Sequence, residues 1–390
     1  MFLVGLLHQE RLIIKFMETE RIYFDYNASS LIRKEAFNLI ESINKSYGNP
    51  SSIHEEGRTM RDLIENSRAY IANSLNTNAE NVIFTSGGTE AIDIALNQNP
   101  GRIIINSTEH IAVFESAKKT NSTIEILEVD ENGIVNLDKL ESMLQKGPAL
   151  VCVMFANNET GIIQPIKEIS DIVKKYKSYL FCDAVQAYGK VKINFDELSI
   201  HFMALSAHKV GAFAGSGAII INEDIKKIIP TMLGGGQEFG LRGGTENLIG
   251  ITAFGECAKL IDEICAENQK LKEYINILEK NIKSFGGFIF GGNSKRLPNT
   301  SLFAFPDIKA DTMLMKLDLA GYSVSSGSAC SSGKVKKSHV LKAMNIDDKI
   351  SSNAIRISLG WATRKSHITN LLNFFEDIFK ENYIGVKSVR

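Results

Sequence analysis

Three polar positions follow apolar runs so closely that one site could hold them all. In "FMALSAHKVGAFAGSG", Lys209 comes just after a run that reads as a buried strand. A lysine rooted there loses hydration, and its pKa falls from about 10.4. The freed amine can bond an aldehyde; the bland alternative is a side chain that snorkels to water. In "SYLFCDAVQAYGK", Asp183 ends an apolar run and Gln186 follows. A carboxylate at such a place needs a cation or donor, or else it caps a helix. In "NVIFTSGGTEAIDIAL" a strand runs through a glycine turn into a helix. The amides of Gly88 and Thr89 would open that helix toward a phosphate, or form an ordinary turn.

In that order, an anion turn, a strand-end acid and a strand-end amine meet the needs of one cofactor. Pyridoxal phosphate has a phosphate to anchor, a pyridine nitrogen to keep protonated and an aldehyde to bind. A fourth position is Cys330 in "SVSSGSACSSGK". Small residues around it read as a mobile loop. A free cysteine is usually a buried small hydrophobe; on such a tether it is exposed enough to ionise.

The elements that must position these groups alternate between helix and strand. "MRDLIENSRAYIANSL" carries apolar residues at helical spacing, whereas "GRIIINST", "ALVCVMFANN" and "GAIIIN" are short continuous apolar runs. Such runs suit strands buried on both faces, and the fold class is α/β. From about Gly255 a long charged helix begins, followed by mixed strands and helices. The organisation expected is an N-terminal extension over 1–20, a large domain over 21–257 and a smaller C-terminal domain over 258–390.

Composition narrows the function classes. The 390 residues are 44% hydrophobic, enough for a substantial core. Charges balance at 44 Lys+Arg against 45 Asp+Glu, so no basic field suggests direct nucleic-acid binding. The five cysteines form no CxxC pair; neither a disulfide framework nor a cysteine-only zinc site is expected, and the context reads as cytoplasmic. The apolar run Phe2 to Leu7 is too short for a membrane span or signal segment. Either Met1 or Met17 suits the start of translation. "GGGQEFG" fails the dinucleotide fingerprint, "GSACSSGKV" fails the P-loop, and His54-Glu55-Glu56 lacks a zincin's second histidine.

The sequence resembles the cysteine desulfurases of the NifS/IscS type, within the fold type I pyridoxal phosphate enzymes. The resemblance runs from "IYFDYNASS" to "SSNAIRISLGW" and includes "FTSGGTEA", "TEHIAV", "ANNETGIIQPI", "DAVQAYGK", "SAHK", "GGGQEFGLRGGTEN" and "SSGSAC". It implies a large domain with a mainly parallel seven-stranded sheet covered by helices, and a smaller C-terminal α/β domain. It also implies roles. Lys209 would hold the cofactor and move the substrate Cα proton. Asp183 would pair with the ring nitrogen, His110 would stack on the ring and act in proton transfer, and Gln186 would bond the ring hydroxyl. Gly88, Thr89, Ser206 and His208 would hold the phosphate, with Thr245 reaching the neighbouring subunit's phosphate in a homodimer. Asn158 would sit between cofactor and substrate, and Arg356 would clamp the substrate carboxylate with Asn27 nearby. Cys330 would take sulfur from L-cysteine as a persulfide, releasing alanine, and pass it to an acceptor protein. An iron–sulfur scaffold is the first acceptor expected and tRNA thiolation the second. No resident metal is expected, although Cys330 could transiently ligate an iron–sulfur cluster.

Three positions depart from the family pattern. Asp93 stands where asparagine is usual, Phe213-Ala214 replaces Pro-Lys, and "NASS" replaces a threonine-rich run. If position 93 faced substrate, its carboxylate would repel the cysteine carboxylate. These departures keep other outcomes in view: a selenocysteine lyase, a small-amino-acid aminotransferase, or a catalytically impaired partner that binds a scaffold protein.

Overall fold

The computed structural model describes residues 21–44, 48–327 and 337–387. Its centre is a seven-stranded sheet in the order β2-β8-β7-β6-β5-β3-β4. The strands are β2 (Val82–Thr85), β3 (Arg102–Asn106), β4 (Thr123–Leu127), β5 (Leu150–Cys152), β6 (Tyr179–Asp183), β7 (Phe202–Ser206) and β8 (Gly217–Ile221). Only β8 runs against its neighbours, so the other six point their carboxyl ends to one edge.

The apolar runs become strands because both faces of this sheet are covered. Along β7, Met203 and Leu205 enter one core while Phe202 and Ala204 enter the other. Along β3, Ile104 faces the first core, and Ile103 and Ile105 the second. This two-residue alternation between two apolar layers explains why the strands carry no polar stripe. The mainly parallel sheet between helices is the expected architecture.

A second, four-stranded antiparallel sheet has the order β12-β13-β10-β9. It consists of β9 (Phe288–Ile289), β10 (Thr300–Ala304), β12 (Ser325–Ser326) and β13 (Ala354–Ser358). Beside it β1 (Ile22–Tyr23) pairs in parallel with β11 (Tyr322–Ser323). A separate apolar cluster supports this part, with Phe303, Ile355, Ile357 and Phe375 at its centre. Phe24 belongs to that cluster too, although it precedes the large sheet in sequence. After β1 the chain crosses to the large sheet's edge, and Asp25 bridges Ser358 on the way. The segment Asn27–Ala28 therefore lies in the seam between the two sheets, against residues from both.

Candidate active site

A cleft of about 550 Å³ opens at that seam, on the carboxyl edge of the large sheet. Open parallel sheets bind ligands at this edge. The cleft is lined by Asn27, Gly88, Thr89, His110, Asn158, Asp183, Gln186, Ser206, His208, Lys209 and Arg356. Two predicted site residues are not among them. Thr245 is exposed on the glycine-rich loop away from the cleft, and Cys330 falls outside the described residues.

One end of the cleft is built for an anion. The helix Gly88–Leu96 starts there, immediately after β2, with Gly87 at φ 155°. A Cβ on Gly88 would come within 2.8 Å of Val185 Cγ2, so only glycine lets the helix start sit this close to β6. Ser206, at the end of β7, is near the same position. The imidazole of His208 pairs with Ser29 Oγ at 3.2 Å, and burial holds it down at a pKa of about 4. It is therefore a neutral donor or acceptor rather than a charge.

Lys209 follows β7 in a short turn. Its Nζ donates to the carbonyls of Asn27 and Ala28 at 2.7 and 2.8 Å. Burial, then the nearby Arg356 cation, lowers its pKa to about 8, against the opposing pull of Asp183 and Asp25. Asp183 ends β6 and accepts the Val185 N–H at 2.9 Å. Burial pushes its carboxyl pKa up, and His110 and Lys209 only partly offset that. No cation pairs directly with this carboxylate among the described residues, and a protonated pyridine nitrogen would supply one. His110 caps the helix Ile111–Ala117 by accepting the Ala112 N–H at 3.2 Å. Burial lowers its pKa, which favours the neutral ring.

A class-V aminotransferase family model matches residues 22–371. The chain belongs to the class-V aminotransferase family. A cysteine desulfurase IscS of Dictyoglomus turgidum is 38% identical over 92% of this chain and 95% of its own. The solved NifS-like protein of Rickettsia africae is 34% identical, with a TM-score of 0.86 over 93% of this chain and all of that one. The structure of SspA in complex with cysteine is 26% identical, with a TM-score of 0.77 over 87% of this chain and 98% of that one. The family's members use pyridoxal phosphate, and the donor set fits it: a helix start for the phosphate, a buried acid without a cation, and an amine of lowered pKa.

In this class-V aminotransferase, the small sheet contributes to the opposite wall of the cleft. Arg356, in β13, donates through Nη1 to the carbonyl of Asn158 at 3.0 Å and through Nη2 to Asp25 at 2.7 Å. Its Nε is buried with no hydrogen-bond partner among the described residues. Asn27 donates to the Asn158 carbonyl at 3.1 Å and to Thr300 Oγ1 at 2.9 Å.

Several residues in and behind the cleft were not anticipated. Asp25, the ion-pair partner of Arg356, sits two residues from Asn27 in the same "FDYNA" run. Glu159 is buried next to Asn158, takes a hydrogen bond from Ser338 Oγ at 2.6 Å, and is raised by burial to a pKa of about 7. Glu109 is buried behind Asp183, with one oxygen on the Met154 N–H and the other without a partner among the described residues. Burial, then the nearby Asp183 carboxylate, raises its pKa well above the usual carboxylate value. Lys190 is buried beneath Asn27 and Gln186. Only Glu159 and Glu109 carried a signal, each lying beside an expected site residue in "NNET" or "TEH".

Two of the three departures from the family pattern lie elsewhere; the third, "NASS", is at the cleft, where Ala28 lines it and Ser29 pairs with His208. Asp93 does not line the cleft; it accepts from Ser116 Oγ at 2.8 Å and Lys119 Nζ at 3.1 Å, tying two neighbouring helices together. Repulsion of a substrate carboxylate by this residue therefore has no geometric basis. Phe213 packs on the main core, and Ala214 is exposed. No helix among the described residues is long and apolar enough to cross a membrane.

Proposed function

We propose that this protein is an L-cysteine desulfurase, which removes sulfur from L-cysteine, releases L-alanine and passes the sulfur through Cys330 to an acceptor protein. The observation that carries this reading is the lowered-pKa amine of Lys209 in one cleft with Asp183, His110 and Arg356. Similarity to IscS-named and NifS-like proteins supports it. Bound pyridoxal phosphate would supply the electron sink that lets the substrate Cα lose its proton.

The residues divide the work. Gly88 and Thr89, with Ser206 and His208, would hold the phosphate at the helix start. Asp183 would keep the ring nitrogen protonated, and Gln186 would bond the ring hydroxyl. Lys209 is partly unprotonated near neutral pH, so its amine can capture the aldehyde and later carry the Cα proton. His110, held neutral, would stack on the ring and take or return a second proton. Arg356, with Asn27 and Asn158, would bind the substrate carboxylate, and its unpartnered Nε leaves a donor for that task.

Cys330 would then attack the substrate sulfur. Its thiolate gains a sulfur–sulfur bond, the carbon–sulfur bond breaks, and alanine forms after proton return. The other four cysteines are poor candidates. Burial pushes Cys257 to a pKa of about 12 and Cys265 to about 11, and raises Cys152 and Cys182 well above the usual thiol value. The described residues flanking positions 328–336, Gly327 and Lys337, both line the cleft.

The reading includes a homodimer in which Thr245 reaches the partner's phosphate, a cytoplasmic setting, and a scaffold for iron–sulfur assembly as first acceptor. Exposure of Thr245 outside its own cleft fits such a role. It also includes the division into 1–20, 21–257 and 258–390, which the separate apolar cluster under the small sheet supports. The test is production of alanine and sulfide from L-cysteine by purified, pyridoxal-phosphate-loaded protein. Cys330→Ser should keep the colour of the bound cofactor and lose sulfide release; desulfuration at the wild-type rate would refute the persulfide route.

A further inference from the structure

Lys190 is fully enclosed, at 4% exposure, and no carboxylate is hydrogen-bonded to it among the described residues. Its electrostatic neighbours are the cations of Lys209 and Arg356, which join burial in pushing its pKa far down. A methionine of similar length would fill the same space without desolvating an amine. What the amine does is donate twice: to Asn27 Oδ1 and to Gln186 Oε1, both at 2.7 Å.

Two N–H donations fix the way round of two amides. With its oxygen held by Lys190, Gln186 must present its NH₂ on the other side, where Nε2 donates to the Asn27 carbonyl at 2.8 Å. That same carbonyl accepts Lys209 Nζ. Asn27, held by the same amine, turns its NH₂ to the Asn158 carbonyl and Thr300. The chain Lys190–Gln186–Asn27–Lys209 thus links a hidden amine to the reactive one through hydrogen bonds alone.

We propose that Lys190 is a positioning residue, which holds the Gln186 amide with its N–H face toward the cleft so that an electron-rich ring oxygen of the cofactor meets a donor. This rests on the pyridoxal phosphate reading above. Without Lys190 only the Asn27 carbonyl still holds the amide's NH₂, and an amide that turns over would set its oxygen against the ring oxygen. Two acceptors face to face cost affinity and alter the electron distribution of the ring.

The test uses purified holoprotein of wild type, Lys190→Met and Lys190→Gln. Lys190→Met should lose pyridoxal phosphate on dilution about tenfold faster, as expected when one hydrogen bond to an electron-rich oxygen is lost. Its visible band should shift, while its melting temperature without cofactor stays level or rises. Lys190→Gln keeps a neutral donor and should restore both the rate, within about twofold, and the band. A Met variant that retains cofactor and absorbs as wild type overturns the proposal. Should that variant not fold, Gln186→Met read in the same way decides: wild-type retention and absorbance would show that the amide oriented by Lys190 does nothing. If wild type itself takes up no pyridoxal phosphate, the functional reading fails instead.

Discussion

The seven-stranded and four-stranded sheets each put charge into the cleft, but from different parts of a strand. Asp183 is the last residue of β6, and Lys209 comes three residues after the end of β7. Arg356 is the middle residue of β13, between Ile355 and Ile357. The large sheet is apolar on both faces, so only its strand ends can carry polar chemistry. In β13 the two isoleucines face the smaller apolar cluster, which leaves Arg356 to face the seam. One sheet offers an edge, and the other offers a face.

Lys209→Ala gives the largest test of the edge. It should abolish covalent cofactor attachment and reduce sulfide release to background, checked by the visible spectrum and by mass. The same residue sets a pH dependence. Its pKa is lowered to about 8 from the usual lysine value, so the reactive neutral amine grows as pH rises and levels off above pH 8. The rate of pyridoxal phosphate capture by cofactor-free protein should climb about tenfold per pH unit below 8 and flatten above it. A rate that keeps climbing to pH 10 would mean that the amine is not desolvated.

Arg356→Ala tests the face. It would remove the proposed charge-assisted contact to the substrate carboxylate, and it leaves Asp25 without its cation. KM for L-cysteine should rise about a hundredfold with a smaller change in kcat, while the cofactor spectrum before substrate stays that of wild type. Loss of cofactor instead would place Arg356 on the cofactor side. Asp93→Asn is the smallest change. Its carboxylate serves the helix pair, not the cleft, so steady-state kinetics should stay within about twofold of wild type. A larger change in KM would contradict that placement.

The same comparison explains what could be read in advance. A lysine or aspartate just after a continuous apolar run has few places to go, so the placement of Lys209 and Asp183 at strand ends was legible from the residues themselves. The parallel sheet was legible for the same reason. Arg356 was not: isoleucine, arginine, isoleucine reads equally well as a strand with a wet face, and only the resemblance singled it out. Asp25 was hidden because its partner lies 331 residues away. Lys190 looks like an ordinary turn lysine until Asn27 is folded over it. Asp93 was suspect for its residue type alone, and its neighbours, not its chemistry, decide what it does.

The crossing of the Asp25–Asn27 segment through the seam has a consequence for biosynthesis. Asn27 bonds Ser358, and Asp25 bonds Arg356, each across 331 positions. A nascent chain leaving the ribosome can form the large sheet long before β13 exists. Until then the early segment has no wall to lean on, and the side of the cleft that carries Arg356 is missing. Loop closure over such a span comes late and slowly. Partly made chains should therefore be unable to bind cysteine, which would keep reactive sulfur away from unfinished enzyme.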